Sequence, residues 1–252
     1  MVVNKYNASG NDFVIFHTFK KINRSNLAKA LCDRFKGMGA DGLIVILPHD
    51  KYDFEWQFYN SDGSEAEMCG NGSRAAAHYA YYNNLADNKM RFLTLAGVIE
   101  AQVEGNIVKT QLSPYKFIER YEDFGKKFTI YDTGVPHIVI LENINNFDKN
   151  LARKLREKYN ANVNWAEVRD NKLFVRTYER GVEDETLACG TGMCASFLVA
   201  RDNNLIKDSI KVYPKSREEL EIIINNDRLY LKGKVRHTYT SILEGKNERD
   251  FM

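Results

Sequence analysis

The sequence predicts an α+β protein with internal pseudo-symmetry, and three observations carry that prediction. A short phrase occurs twice, as Cys69-Gly70-Asn71-Gly72 and as Cys189-Gly190-Thr191-Gly192. Each copy follows acidic residues and opens a stretch of helical composition. Around each copy lie several short strand-like runs and a few helical ones, so strands and helices are mixed within each half. The length of 252 residues suits two units of about 100 to 150 residues each.

The elements follow in order. Phe13-Val14-Ile15-Phe16 reads as a buried strand. Ser25 reads as the N-cap of an amphipathic helix in which Leu27, Leu31 and Phe35 recur at i, i+4 and i+8 toward Gly37. Leu43 to Leu47 is an aliphatic strand, and Phe54 to Phe58 alternates with period two. Asn60-Ser61-Asp62-Gly63-Ser64 has the composition of a turn. A helix dense in Ala75, Ala76, Ala77 and Ala80 runs over 71–83, and strands follow over 90–95, 98–103 and 107–112. Pro114 marks the junction between a first unit, 1–114, and a second, 115–234. In the second, strands lie over 128–131 and 138–141, a charged amphipathic helix over 151–159, a strand over 172–178 and a helix over 191–203. The remainder is strand-rich to Leu243, and 244–252 is a polar tail expected to fray.

Composition excludes several classes. Lys and Arg number 36 against 34 Asp and Glu, a net charge of +2, so neither nucleic acid nor an anionic membrane is the expected partner. The start, Met1-Val2-Val3-Asn4-Lys5-Tyr6, lacks the pattern of a signal peptide. The longest aliphatic run, Leu43 to Leu47, is far short of the ~20 residues of a membrane span. The expected location is therefore the reducing cytoplasm, where cysteines are catalytic, metal-binding or buried more often than disulfide-bonded. No Cys-x-x-Cys pair points to zinc, and no metal is expected. Gly37-Met38-Gly39-Ala40-Asp41-Gly42 comes close to a dinucleotide fingerprint, but it follows a helix instead of opening one and reads as a turn. No lysine motif for a pyridoxal Schiff base stands out, and no cofactor is expected.

Two of the four cysteines, Cys32 and Cys194, fall on apolar helix positions and read as core. Cys69 and Cys189 sit where helices begin. Unpaired backbone N–H groups and the positive end of the helix dipole there favour a thiolate, the basic form of cysteine. The same N–H groups suit a carboxylate and would stabilise charge that builds up when a neighbouring C–H is deprotonated. Two such thiols suit inversion of a stereocentre. A single base tends to return a proton to the face it left, whereas a thiolate and a thiol on opposite faces remove and deliver one.

Three segments carry a family resemblance: Gly10-Asn11-Asp12-Phe13, the run from Asn60 to Gly72, and Glu179-Arg180-Gly181 through Thr186 to Gly192. They resemble diaminopimelate epimerase in the right order over nearly the whole chain, and Arg236-His237-Thr238-Tyr239 resembles that family's last strand. The resemblance implies a pyridoxal-independent epimerase that interconverts LL- and meso-diaminopimelate on the route to lysine and peptidoglycan. It implies two lobes, each a barrel-like set of strands around a central helix, with the ligand in the cleft between. The final strand, about 235–243, would return to the first lobe, and the protein would be a homodimer.

By the same resemblance Cys69 and Cys189 match the two acid–base thiols, and Gly70, Asn71, Gly190 and Thr191 match the residues that hold the carboxylate beside the reacting carbon. Asn11, Asn60, Asn162, Glu179 and Arg180 match side chains that bind the rest of the substrate, and His137 matches a site histidine. The chain departs from the pattern at Val135, where the family often has Asn, at Gly42, where it sometimes has Gln, and in the insertion-like Val182-Glu183-Asp184-Glu185. Three other readings compete. A racemase of proline or hydroxyproline type is opposed by Asn71, where such relatives usually carry His. A non-catalytic binding protein is opposed by retention of both thiols, and a structural disulfide between them by a reducing location.

Overall fold

The computed structural model describes residues 1–243, so the tail 244–252 lies outside the described residues. The chain divides into two compact units, Met1–Gln111 together with the chain from Gly233 onward, and Leu112–Lys232. The first unit holds β1 (Val2–Ala8), β2 (Asn11–His17), α1 (Ser25–Cys32), β3 (Gly42–Leu47), β4 (Phe54–Asn60), α2 (Gly70–Tyr82), β5 (Lys89–Thr94), β6 (Gly97–Glu104) and β7 (Ile107–Gln111). The second begins with β8 (Lys116–Asp123), β9 (Lys126–Asp132), β10 (Pro136–Leu141), α3 (Lys149–Tyr159) and β11 (Asn162–Arg169). It continues with β12 (Lys172–Glu179), β13 (Asp184–Thr186), α4 (Gly190–Asp202), β14 (Ser209–Tyr213), β15 (Leu220–Asn225) and β16 (Arg228–Lys234). The last strand, β17 (Arg236–Ile242), pairs antiparallel with β1.

The pairing repeats. An antiparallel hairpin β1–β2 is matched by β9–β10, and a parallel step β2 to β3 across α1 by β10 to β11 across α3. Antiparallel β3–β4 is matched by β11–β12, and the parallel step β4 to β5 across α2 by β12 to β14 across α4. Each parallel step needs a crossover, and each crossover carries a helix. The strand flanking the opening hairpin is the local β8 in the second unit and the chain-terminal β17 in the first.

The second crossover helix of each unit is the enclosed one. Ala75, Ala76, Ala77 and Ala80 of α2 and Met193, Cys194, Ala195, Phe197 and Ala200 of α4 are all buried. A helix covered on every side carries small and apolar residues all round instead of one apolar stripe. Cys194 thus lies in the core, as does Cys32. By contrast α3 buries only Ala152 and Leu155 and keeps the charged outer face that its sequence shows.

Some elements differ from expectation. Arg24, not Ser25, occupies the N-cap of α1, and the helix stops at Cys32, short of Gly37. Asp33 leaves helical geometry, and its Oδ1 accepts from the N–H groups of Phe35 at 2.7 Å and Lys36 at 2.8 Å. That side-chain turn competes with the helix, so Phe35 is 98% exposed instead of extending the apolar face. Strands β1, β8, β11 and β13 are additional to those expected from the sequence. The first carries buried Asn4 and Lys5, the second is exposed along most of its length, and the third turns Asn162 and Asn164 inward. β1, β8 and β13 lack the apolar alternation by which strands are read, and in β11 it is confined to Asn162-Val163-Asn164-Trp165. The insertion-like segment becomes a turn and the short strand β13 against β12.

The third residue after the thiol in the repeated phrase shows where the symmetry ends. A Cβ on Gly192 would press on Asn164 Oδ1 and lie 3.0 Å from Thr177 Oγ1. Asn164 cannot retreat, because it donates to Ile138 O and accepts from the Thr177 hydroxyl, both at 2.8 Å. On Gly72 a Cβ would meet Cys69 Cβ and Ile44 Cδ1 at an ordinary 3.4 Å. Gly192→Ala is therefore expected to destabilise the protein by about 1–3 kcal/mol through overpacking. In Gly72→Ala the roughly 1 kcal/mol gain in helix propensity offsets any crowding. Urea unfolding of both variants checks this, and equal midpoints would contradict it.

Candidate active site

In the first unit the site is built on one end of the sheet and the start of α2. The β1–β2 hairpin turns through Ser9 and Gly10, with φ of 56° and 89°. Two successive positive φ values give the tight turn whose twist matches the strands it joins. The turn delivers Asn11 to the first position of β2, while Asn60 ends β4 in register with Gly42 at the start of β3. Cys69 is the extended N-cap of α2, and its Sγ accepts from Gly72 N at 3.3 Å. Asn71, one residue into the helix, donates from Nδ2 to Asn11 Oδ1 at 2.5 Å, and Asn11 Nδ2 donates to Asp41 Oδ2 at 3.1 Å.

That acid end is itself braced. Asp41 and Asp12 exchange backbone-to-carboxylate hydrogen bonds at 2.9 and 3.1 Å, and the Arg34 guanidinium reaches both carboxylates. Hydrogen bonds and charge from Arg34 and Lys5 outweigh burial and hold the Asp12 carboxyl down to about 2. Asn60 is exposed and bonded to the Ser64 hydroxyl, so Asn11, Asn71 and Cys69 gather at the helix start while Asn60 stands at the adjoining strand end. Gly42 has its own steric reason. A Cβ there would lie 2.6 Å from the Phe58 ring and 2.8 Å from Tyr59 O, so the space a longer side chain would need is filled.

In the second unit Cys189 is the extended N-cap of α4 and is 7% exposed. Its Sγ lies 3.4 Å from Thr191 Oγ1, which lies 2.9 Å from His137 Nε2. His137 is fully buried at the start of β10. Asn164 Nδ2 lies 3.1 Å from its Nδ1. The Thr191 hydroxyl thus stands between the imidazole and the sulfur, where it can donate a hydrogen bond that a thiolate accepts. Burial, helped by the charge of Arg180 and opposed by Asn164, pushes His137 down to about 3. Thr133 Oγ1 donates to Thr191 O at 3.0 Å and steadies the same turn.

Asn162 pairs with His137 across the parallel strands and brings its Nδ2 within 3.3 Å of Nε2. Its Oδ1 accepts from Arg180 N at 2.8 Å. The Arg180 guanidinium donates to Asn160 O at 2.9 Å. Glu179, the last residue of β12, is held above the usual carboxylate range by burial. Thus Cys189, Gly190, Thr191, His137 and Asn162 form one cluster, with Glu179 and Arg180 at its strand-end border. Val135 lies in the turn before β10, where its carbonyl accepts from Thr133 N at 3.2 Å.

Several residues of these clusters escaped the sequence reading: Ser9, Asp41 and Arg74 in the first unit, Thr133 and Asn164 in the second. Arg74 left the plainest trace, a charged residue inside an alanine-rich helix. Among the described residues no group of three or more His, Cys, Asp and Glu could hold a metal ion, and no helix is long and apolar enough to cross a membrane.

A probable proline racemase from Agrobacterium radiobacter superposes with a TM-score of 0.74 over 97% of this chain and 93% of its own, at 12% identity, a likeness of fold alone. The diaminopimelate epimerase of a Nitratiruptor species is 60% identical over 244 residues, covering 96% of this chain and 98% of the relative. That of Campylobacter jejuni serotype O:23/36 is 54% identical, over 93% and 96%. The model of the diaminopimelate epimerase family matches residues 3–118 and 129–238, which include both helix starts, and the chain belongs to that family.

Proposed function

We propose that this epimerase interconverts LL- and meso-2,6-diaminopimelate by proton transfer at one α-carbon, with Cys69 and Cys189 alternating as base and acid. The observation that carries the reading is the placing of each thiol at the N-cap of an enclosed helix, beside a polar residue held by its own unit. One sulfur, as thiolate, takes the α-proton. The electron pair of the broken C–H bond spreads into the adjacent carboxylate, where N–H groups at Gly70, Asn71, Gly190 and Thr191 stabilise the added charge. The other sulfur, as thiol, delivers its proton to the opposite face. Direction decides the roles: the product leaves with the two protonation states exchanged.

Asn11, Asn60, Asn162, Glu179 and Arg180 would bind the substrate's distal end. An arginine suits its carboxylate by paired hydrogen bonds, and Glu179 suits its ammonium. No cofactor is required on this reading, and closure would exclude water from the carbanion-like state. The place in metabolism is supply of lysine and of peptidoglycan precursor, in the cytoplasm, by a homodimer. A racemase acting on proline is disfavoured by Asn71, whose side chain is committed to Asn11.

Solvent isotope exchange tests the mechanism. In heavy water the protein given either isomer is expected to place deuterium at one α-carbon and to equilibrate LL and meso. Cys69→Ala and Cys189→Ala are each expected to lose at least about 100-fold in epimerisation, as removal of an acid or base does. Failure of the unaltered protein to exchange would overturn the assignment, and undiminished turnover by either variant would overturn the two-thiol step.

The neutral state of His137 makes a second expectation. Above pH 6.5, its ordinary value, folded and unfolded chains both hold a neutral ring and the full stability is present. As pH falls from 6.5 toward about 3, the unfolded chain takes up a proton that the buried ring refuses, so stability is lost. The loss from this group approaches about 1.4 kcal/mol per pH unit. Urea unfolding from pH 6.5 to 4 is expected to show a shallower acid slope in His137→Gln than in the parent, and identical slopes would refute it.

A further inference from the structure

The most telling group outside the proposed chemistry is Arg74. It sits in the second turn of α2 with no exposed surface, directly before Ala75, Ala76 and Ala77. Its guanidinium joins three places that have to stay in register. One Nη2 bond goes to Ser9 Oγ at 2.6 Å, and another to Asn71 Oδ1 at 2.9 Å. Nη1 donates to Gly70 O at 3.4 Å. Ser9 belongs to the hairpin turn that delivers Asn11, and it holds a φ of 56° that a non-glycine residue adopts at some cost. Arg74 therefore grips the turn before Asn11 and, one helical turn away, the Asn71 amide that bonds to Asn11.

The directions of these bonds are fixed by their ends. A guanidinium can only donate, so it holds the oxygen of Asn71 and turns the amide nitrogen toward Asn11. Asn11 then has to accept with its oxygen, and its nitrogen is turned to Asp41, a carboxylate that only accepts. Arg74 to Asn71 to Asn11 to Asp41 is thus a one-way chain, with neither amide able to flip without losing two bonds. In the second unit the same offset from the thiol is filled by Cys194, a buried residue of the core. There Thr191 is held by the neutral imidazole of His137 instead. The repeated phrase therefore rests on a permanent cation in one unit and on an uncharged ring in the other.

We propose that Arg74 is a positioning residue for the reaction, which sets the amide orientations of Asn71 and Asn11 beside Cys69 through its bonds to Ser9, Gly70 and Asn71. It touches no reacting atom and acts mainly through Asn71, with the bonds to Ser9 and Gly70 anchoring the guanidinium in place. The inference rests on the proposed epimerase reading, and the parent protein's own turnover separates the two. If the parent fails to equilibrate the isomers, that reading fails and this inference with it. If the parent turns over, the variants decide.

Arg74→Met removes every donor, and Arg74→Lys keeps the charge but cannot reach Ser9 and Asn71 with a planar fork. Each is to be made alone and with Asn71→Ala, with kcat and KM measured for both isomers and folding followed by thermal melts. Either single variant is expected to lower kcat/KM by about 10- to 100-fold, and the same change in the Asn71→Ala background by less than about threefold, because the residue through which it acts is gone. Should Arg74→Met not fold, Arg74→Lys carries the test. A folded variant with kcat/KM within about threefold of the parent overturns the proposal. So does a loss of equal size with and without Asn71, which is the additivity expected of an arginine that only supports the fold.

Discussion

Two helices enclosed along their bodies and partly open at their starts govern this structure. A helix leaves its first backbone N–H groups without intrahelical partners, and here the first of them lie at half-buried positions, open to a ligand. At Gly70 and Gly190 the chain places these donors beside sulfur atoms in extended N-cap geometry. The alanine-rich body of α2 and the small and apolar residues of α4 let strands cover each helix closely. What the surrounding strands contribute is the polar company: Asn11 from β2 in one unit, His137 and Asn162 from β10 and β11 in the other. The site is therefore a consequence of covering a helix end with strand ends, and its chemistry follows from which donors and acceptors those ends carry.

The two units share a topology but solve the same local problem with different electrostatics. In the first, donor-only Arg74 and acceptor-only Asp41 bracket two amides. In the second, Asn164 orients a neutral imidazole that addresses a hydroxyl near sulfur. The two units share the frame and differ in the side chains set within it. The glycine after Asn71 has ordinary space above it, whereas the glycine after Thr191 is pressed by Asn164. An identical motif thus conceals two unequal steric and electrical settings.

The departures from the family pattern have a local basis where the structure speaks to them. Gly42 lies against the Phe58 ring and Tyr59 carbonyl, so an aromatic core residue occupies the room that a longer side chain would take. The segment before Cys189 is not a loose insertion, since Asp184–Thr186 pairs with the end of β12, and Glu185 there accepts from Arg176. These features keep the approach to α4 ordered by strand pairing.

By itself the sequence determined the mixed fold, the two enclosed helices, the duplicated thiols and, through three ordered motifs, the family. Those signals are local: a glycine-flanked cysteine, alanine density and aliphatic runs are legible without knowing what packs where. Strands β8 and β11 were not, because one is exposed along most of its length and the other spends inward positions on Asn162 and Asn164. The end of α1 was decided by the Asp33 side chain, which offered the backbone a turn in place of another helical bond. Tertiary structure alone decided that Arg74, Asn71, Asn11 and Asp41 form one chain. Their order in space is set by strand register and hairpin geometry, and hydrogen bonds between residues 30 to 65 positions apart leave no periodic trace in the sequence.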